Sequence, residues 1–310
     1  MLTSNFVQEV TPGLRKVYLS TLENIAKEFR QIFNIIPEEP GHGAGLNFFE
    51  DLRVASLGTF QQKPQGQSIL YDLPQEETKV RYTPYTFGLG YRITEEMQED
   101  ELYGLVERLT TELGMAAMHQ MEVQAFRILN GAFGTTGGGT GFTVAGFNSE
   151  ALISTSHALV RGGTSANRAA TDLDLGITSL EAAIDKFETN VNESNMPVPL
   201  KPALLLVPPA LKWVARELTE SELKPYTGNN EVNPLGGEGL QYMLYHYGSS
   251  TSNWFLLSPK MQHDMNVWIR RQPRFQVGDD FDTGDAKAKG TFRMAQGHGD
   301  WRGIFGSQGQ

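Results

Sequence analysis

Six histidines, at positions 42, 119, 157, 246, 263 and 298, are the obvious candidates for metal binding or proton transfer. A zinc site needs ligands grouped a few residues apart, and these are scattered. His157 has no Glu-x-x-His neighbour and no paired histidine, so it reads as a loop histidine. Asp279, Asp280, Asp282 and Asp285 crowd one turn as a calcium loop would, yet the sixth-position glycine and closing glutamate of an EF-hand are missing. A charged turn is the simpler reading, with a weak cation site between chains as its alternative. Gly131 to Gly146 is rich in glycine, but no Gly-Lys-Ser/Thr follows and the run leaves a helix where a phosphate loop enters one. Gly-x-Ser-x-Gly is absent. No cysteine occurs, which excludes disulfides, thiolate zinc and cysteine nucleophiles. No catalytic, cofactor or metal residue is therefore selected.

Composition narrows the class. Hydrophobic content of 39% and aromatic content of 10% exclude a disordered chain. A net charge of -10 argues against a protein whose affinity comes mainly from neutralising phosphates. Neither a signal peptide nor an apolar run of membrane length is present, so cytosolic assembly is expected, with no membrane partner.

The elements that would have to position any site begin with a helix expected over 94–130, about 55 Å long. A compact chain of this size is about 50 Å across, so a flat or elongated subunit is expected. Glu95, Glu96, Glu99, Asp100 and Glu101 suit the positive end of the helix dipole. Apolar residues on nearly every face from Met115 to Leu129 predict burial. Gly104 and Gly114 predict close approach of another backbone.

Ahead of it, Leu14 to Ile35 has helical spacing with Thr11 and Pro12 as cap and first turn, and Pro37 to Gly45 reads as a linker. Strands are expected at Leu52–Phe60, Ser68–Leu73 and Lys79–Ile93, around a polar turn at 61–67. After it come a loop at 154–167 and a capping box at Thr178–Glu181 opening a helix. A buried strand follows at 202–209, then a helix through Leu218 and a loop at 226–239. Two strands across the turn after Tyr247, a helix at Met261–Arg270 and a tail of strands and tight turns complete an α+β (mixed α/β) chain.

That order resembles the major capsid protein of tailed bacteriophages, the Hong Kong 97-type fold, in a version carried by Mu-like and other long-tailed phages. The resemblance rests on Leu152-Ile153-Ser154-Thr155-Ser156-His157 with Asn167, Asn233-Pro234-Leu235 and Trp254-Phe255-Leu256-Leu257. It continues through Arg271-Gln272-Pro273-Arg274-Phe275 and Asp300-Trp301-Arg302-Gly303-Ile304-Phe305-Gly306-Ser307.

It implies an N-terminal arm at 1–48, an extended E-loop at 49–92 and a peripheral domain at 93–177 carrying the spine helix 94–130. An axial domain at 178–260 and a return to the peripheral domain at 261–310 complete it. Hexamers and pentamers would close into an icosahedral head around double-stranded DNA that is held without sequence-specific contacts. The virion would be the site of residence and the host cytoplasm the site of assembly. Implied partners are a separate scaffolding protein, a portal and a decoration protein.

Implied assembly-interface residues are Lys63, Pro64, Gln65 and Gly66 at the loop tip, Asn233 and Pro234, and Arg271, Arg274, Trp301 and Arg302. Some relatives weld Lys to Asn with a Glu as base. Here the returning segment offers only Asn266 and no glutamate follows Glu238, so noncovalent closure is expected. Two alternatives remain, an encapsulin-type cellular compartment and a soluble enzyme.

Overall fold

The computed structural model describes residues 3–37, 47–52, 57–69, 71–73, 79–94, 96–97, 104–134, 150–223, 232–280 and 282–309. They fall into two compact units. The first comprises Met1–Phe49, Tyr82–Ala125 and Val267–Gln296; the second comprises Glu50–Arg81, Phe126–Asn266 and Gly297–Gln310.

The first unit is helices on one face of a sheet. Helix α1 (Thr3–Asn24) buries Leu14, Tyr18 and Leu22, spaced four apart on one face. Pro12 lies inside α1 rather than at its first turn, because nothing from Thr3 to Thr11 stops the helix upstream. The expected single helix to Ile35 instead ends at Asn24 and resumes as α2 (Glu28–Ile32), followed by strand β1 (Asn34–Pro37). The linker expected at 37–45 falls, beyond Pro37, outside the described residues.

Strand β2 (Phe49–Asp51) pairs with β3 (Val80–Tyr82). Strand β4 (Tyr85–Ile93) is the edge of a four-stranded sheet ordered β1-β10-β11-β4, where β10 is Met265–Asp279 and β11 is Ala286–His298. Pairing of β11 with β4 is antiparallel, from Ala286 opposite Ile93 to Met294 opposite Tyr85. Met261–Arg270 is thus not a helix: Val267, Trp268 and Ile269 are β-branched or aromatic residues buried in β10.

The long helix is shorter than its pattern. Thr94 accepts from the Met97 N–H and starts a helical piece at Glu96–Met97, but Gly104 takes φ +63° and α3 runs from Leu105 to Asn130. At 26 residues α3 spans about 39 Å. The two glycines differ in purpose. A Cβ on Gly104 would meet nothing within 4 Å, so its role is the left-handed turn, in which the Arg108 N–H donates to its carbonyl. A Cβ on Gly114 would lie 3.1 Å from Thr21 and 3.4 Å from the Tyr18 carbonyl, the close approach that its type predicts. Burial on all sides begins near Met121, later than expected, since Met115 is exposed.

Glu122 of α3 explains why α2 starts where it does. Its buried Oε2 accepts from the Phe29 N–H at 3.0 Å, capping a helix that has no cap of its own. Burial, with the Glu28 charge adding to it, pushes Glu122 up to about 7, against the hydrogen bonds from Phe29 and Glu28. The folded state therefore holds this proton more tightly than the unfolded chain. Its contribution is full below the free carboxyl value and is lost as pH rises through about 7. Glu122→Gln should raise stability at pH 8 by about 2–3 kcal/mol and change little near pH 4. Urea midpoints at the two pH values check this; an equal effect at both would refute it.

The second unit holds a mixed sheet ordered β12-β9-β7-β8, from β7 (Leu204–Val207), β8 (Gln241–Leu244), β9 (Trp254–Leu257) and β12 (Ile304–Ser307). The expected pairing of β8 with β9 across their turn does not form, because β7 lies between them, parallel to β8 and antiparallel to β9. Helix α4 (Ile177–Glu188) and helix α5 (Lys212–Glu220) share one core cluster with Leu205, Val207, Trp254, Leu256 and Phe305. The intervening positions meet a second aromatic layer, with Phe133 against Phe255 at 5.7 Å and Phe126 against Tyr245 at 6.0 Å. Burial on both faces makes β7 and β9 read as continuous apolar runs.

The start of α4 differs in detail from the Thr178–Glu181 box: Gly176 is the cap residue and its N–H donates to Ser179 Oγ at 2.9 Å. Pro209 opens a 3-10 turn leading into α5, as its type predicts. The 154–167 segment contains the short hairpin β5 (His157–Ala158) and β6 (Thr164–Ser165).

Candidate functional site

Two very different settings receive the residues singled out by the sequence. The first is the extended segment between β2 and β3. Its described residues 57–69 and 71–73 carry no strand, and Leu57, Phe60, Ile69, Tyr71 and Leu73 are all exposed, Phe60 at 107% and Tyr71 at 87%. The expected strands at 52–60 and 68–73 therefore do not pair within the chain among the described residues. At the tip, Pro64 to Gln67 form a turn closed by the Gln67 N–H on the Pro64 carbonyl at 3.2 Å, with Gly66 at φ +83° and Lys63 just ahead of it. Asp72 fixes the segment nearer its base, accepting from the Gly58 N–H and from Arg161 Nη2, each at 2.7 Å. The Arg161 hydrogen bond, helped by the Gly58 N–H, holds the Asp72 carboxyl below its usual range.

The second setting is a buried polar network in the second unit. His157 Nδ1 lies 2.9 Å from Glu150 Oε2 and its Nε2 3.0 Å from Asn167 Oδ1. The Asn167 amide donates to the Leu152 and Trp301 carbonyls while its oxygen accepts from Ser154 N–H, so three segments are tied to one side chain. The Trp301 ring stacks on His157 at 4.3 Å and 2°, and the Arg302 guanidinium covers Trp301 at 4.6 Å. Arg302 donates to Glu193 Oε1 at 2.5 Å, to Asp300 Oδ1 at 2.9 Å and to the Val191 carbonyl at 2.6 Å. Burial pushes His157 down, opposed by its bonds to Asn167 and Glu150. Burial also drives His298 down to about 3, with His157 adding.

The Trp301 and Arg302 side chains are buried inside the unit rather than displayed on its surface, the ring against His157 and the guanidinium on Glu193. Asn233 is also buried: it accepts from the Leu235 N–H and donates to the Leu218 and Ser221 carbonyls, with Pro234 starting the 3-10 turn beside it. Lys63, Pro64, Gln65, Gly66 and Arg274 remain exposed, and Arg271 is half-buried. Asn266 is buried and its amide donates to Asp264 Oδ1 at 2.6 Å.

In the acidic turn, Asp280 pairs with Lys287, while Asp285 accepts from Thr283 and lies 3.2 Å from Arg92. Among the described residues no cluster of three potential metal ligands occurs, and no helix is long and apolar enough to cross a membrane.

A long helix over an antiparallel sheet, an unpaired extended segment and a mixed-sheet unit closed by the returning strand define the Hong Kong 97-type class of shell subunit. The model of the phage capsid protein family matches residues 76–306, and the chain belongs to that family. Solved structures agree at the level of fold. The capsid of Myoviridae phage XM1 is 12% identical with a TM-score of 0.55, over 90% of this chain and 89% of that one. The capsid of cyanophage P-SCSP1u is 9% identical with a TM-score of 0.59, over 92% and 88%. A virus-like particle from Pyrococcus furiosus is 11% identical with a TM-score of 0.53, over 96% and 99%. No curated protein matches the sequence. The chain is a structural capsid protein of phage type.

What sequence reasoning missed is the network around Asn167. The fragments that carried the resemblance, Leu152–His157 with Asn167 and Asp300–Ser307, are the segments it ties together. Their polar residues interspersed with apolar ones were the available signal.

Proposed function

We propose that this chain is the major head subunit of a tailed phage, assembling as hexamers and pentamers into an icosahedral shell around double-stranded DNA. Its role is structural, not catalytic, and its place is the virion after assembly in the host cytoplasm. The observation that carries this reading is the extended segment whose described residues 57–69 and 71–73 display five large exposed apolar side chains. Apolar area of that kind marks a contact with another molecule, and in a family of shell proteins the neighbouring copy is the natural cover.

The E-loop at 49–92, the N-terminal arm at 1–48, the peripheral segments at 93–177 and 261–310 and the axial segment at 178–260 are the parts we assign to it. A separate scaffolding protein, a portal and a decoration protein are its proposed partners. Lys63 to Gly66, Pro234, Arg271 and Arg274 are the contacts kept from the sequence reading. The family match over 76–306 favours a phage head over the cellular compartment.

Closure is noncovalent on this reading. Asn266, the one asparagine available for a weld, is buried and held by Asp264, with no glutamate in the returning segment. Electron microscopy of the chain co-expressed with its scaffold should give regular shells, and denaturing mass spectrometry of those shells should return one chain mass. Monomers or small rings under every assembly condition would overturn the head reading; a ladder of covalent oligomers would overturn noncovalent closure alone.

A further inference from the structure

The extended segment and the buried network meet at one ion pair. Among the described residues 57–69 and 71–73, only Asp72 bonds to a part of the chain outside the segment, its Oδ2 accepting from Arg161 Nη2 at 2.7 Å. The same oxygen accepts from the Gly58 N–H at 2.7 Å and so ties two limbs that no strand pairing joins. The fit is close: a Cβ on Gly58 would lie 3.2 Å from that oxygen and 3.7 Å from Arg161 Nη1.

Arg161 is held from behind. It stands in the turn between β5 and β6, where the Leu159 N–H donates to the Gly163 carbonyl and the Gly162 N–H to the Leu159 carbonyl. Gly162 and Gly163 take φ +94° and +95°, the region that favours glycine, and turn the chain back just after the arginine. The Ala158 N–H donates to Glu150 Oε1 at 3.3 Å and the Val160 N–H to Glu193 Oε2 at 2.8 Å. Glu150 is the acid on His157, and Glu193 the buried acid on Arg302. The network therefore pins the main chain on both sides of Leu159, and the Arg161 guanidinium is carried on that pinned backbone.

An exposed ion pair adds little to folding. Direction is another matter. A segment whose Phe60, Ile69 and Tyr71 side chains are exposed gains little orientation from packing, so a bond at its base decides where its tip points. Charge-assisted hydrogen bonds, shorter and stronger than neutral ones, suit that use.

We propose that Asp72 and Arg161 form the joint that aims the extended segment at a neighbouring copy, with the buried network as its mount. The inference rests on the head reading, in which another subunit covers that segment. Both are positioning residues: they act through the direction of the segment, not by touching the neighbour.

The chain has no cysteine, so spin labels can be placed at Gln65→Cys in the tip and Glu188→Cys at the end of α4. Double electron–electron resonance on the unassembled full-length chain should give one narrow distance peak. Asp72→Ala, which removes both bonds, and Arg161→Gln, which removes the cation alone, should each lose that peak to a broad distribution. Arg161→Lys keeps the charge and should retain it. Thermal melts of all three should match the labelled parent, as expected for an exposed pair. With scaffold present, unlabelled Arg161→Gln should give severalfold fewer regular shells, and Arg161→Lys a normal yield.

A broad distribution in the labelled parent, or a peak that survives Arg161→Gln, would overturn the inference. So would a peak lost together with the melting temperature, which marks a folding defect, and so would normal shells from Arg161→Gln. The head reading fails separately: a narrow peak abolished by Arg161→Gln, in a chain that never forms shells, sinks the head reading and leaves the joint standing.

Discussion

Arg302→Met should lower unfolding free energy by about 3–5 kcal/mol, because it leaves Glu193 buried without its cation. Methionine keeps much of the apolar stem, so the loss reports the charge rather than the volume. Trp301 also loses the guanidinium that covers its outer face, and Asp300 and the Val191 carbonyl lose donors. Adding Glu193→Leu to Arg302→Met should recover most of the stability, since two apolar groups replace a pair whose desolvation opposes its attraction. Urea denaturation of the four species of this cycle checks the coupling. Additive losses would show that the pair does not act as a unit.

Phe60→Asp with Tyr71→Asp should abolish shell assembly while leaving the subunit's melting temperature unchanged. Neither ring touches enough of its own chain to support it, and substitutions at such positions usually shift stability by less than about 0.5 kcal/mol. Assembly is different, because a neighbour that buries these rings would have to bury two carboxylates in their place. Sedimentation of the variant with scaffold present separates the outcomes. Normal shells would show that this segment is not what holds subunits together.

These two expectations come from opposite kinds of legibility. The exposed segment was legible only in part: the polar turn between Gln61 and Gln67 was plain in the sequence, whereas the strands expected on either side of it do not pair among the described residues. The short buried strands were equally plain, because β7 and β9 are unbroken apolar runs. Strand order was not, since the chain connecting β8 to β9 resembles a hairpin and only the packing of α4 and α5 puts β7 between them. Met261–Arg270 misled because Met265 and Ile269 have helical spacing as well as strand character. The resemblance puts Trp301 and Arg302 among assembly residues without saying where their side chains point. Only the fold could supply the buried Glu193 and His157 that consume them. Gly104 was correctly noticed and wrongly explained, since a glycine used for backbone conformation looks the same in a sequence as one used for packing.

The order of strands in the second unit has a consequence for synthesis. β7 waits on one side for β8 and on the other for β9, and β9 in turn waits for β12, made about a hundred residues after β7. Trp301 and Arg302 arrive on the same late stretch. A nascent chain halted before residue 300 would hold an unfinished sheet edge together with a Glu193 that lacks the Arg302 cation. This sheet can therefore be completed only once that stretch has left the ribosome.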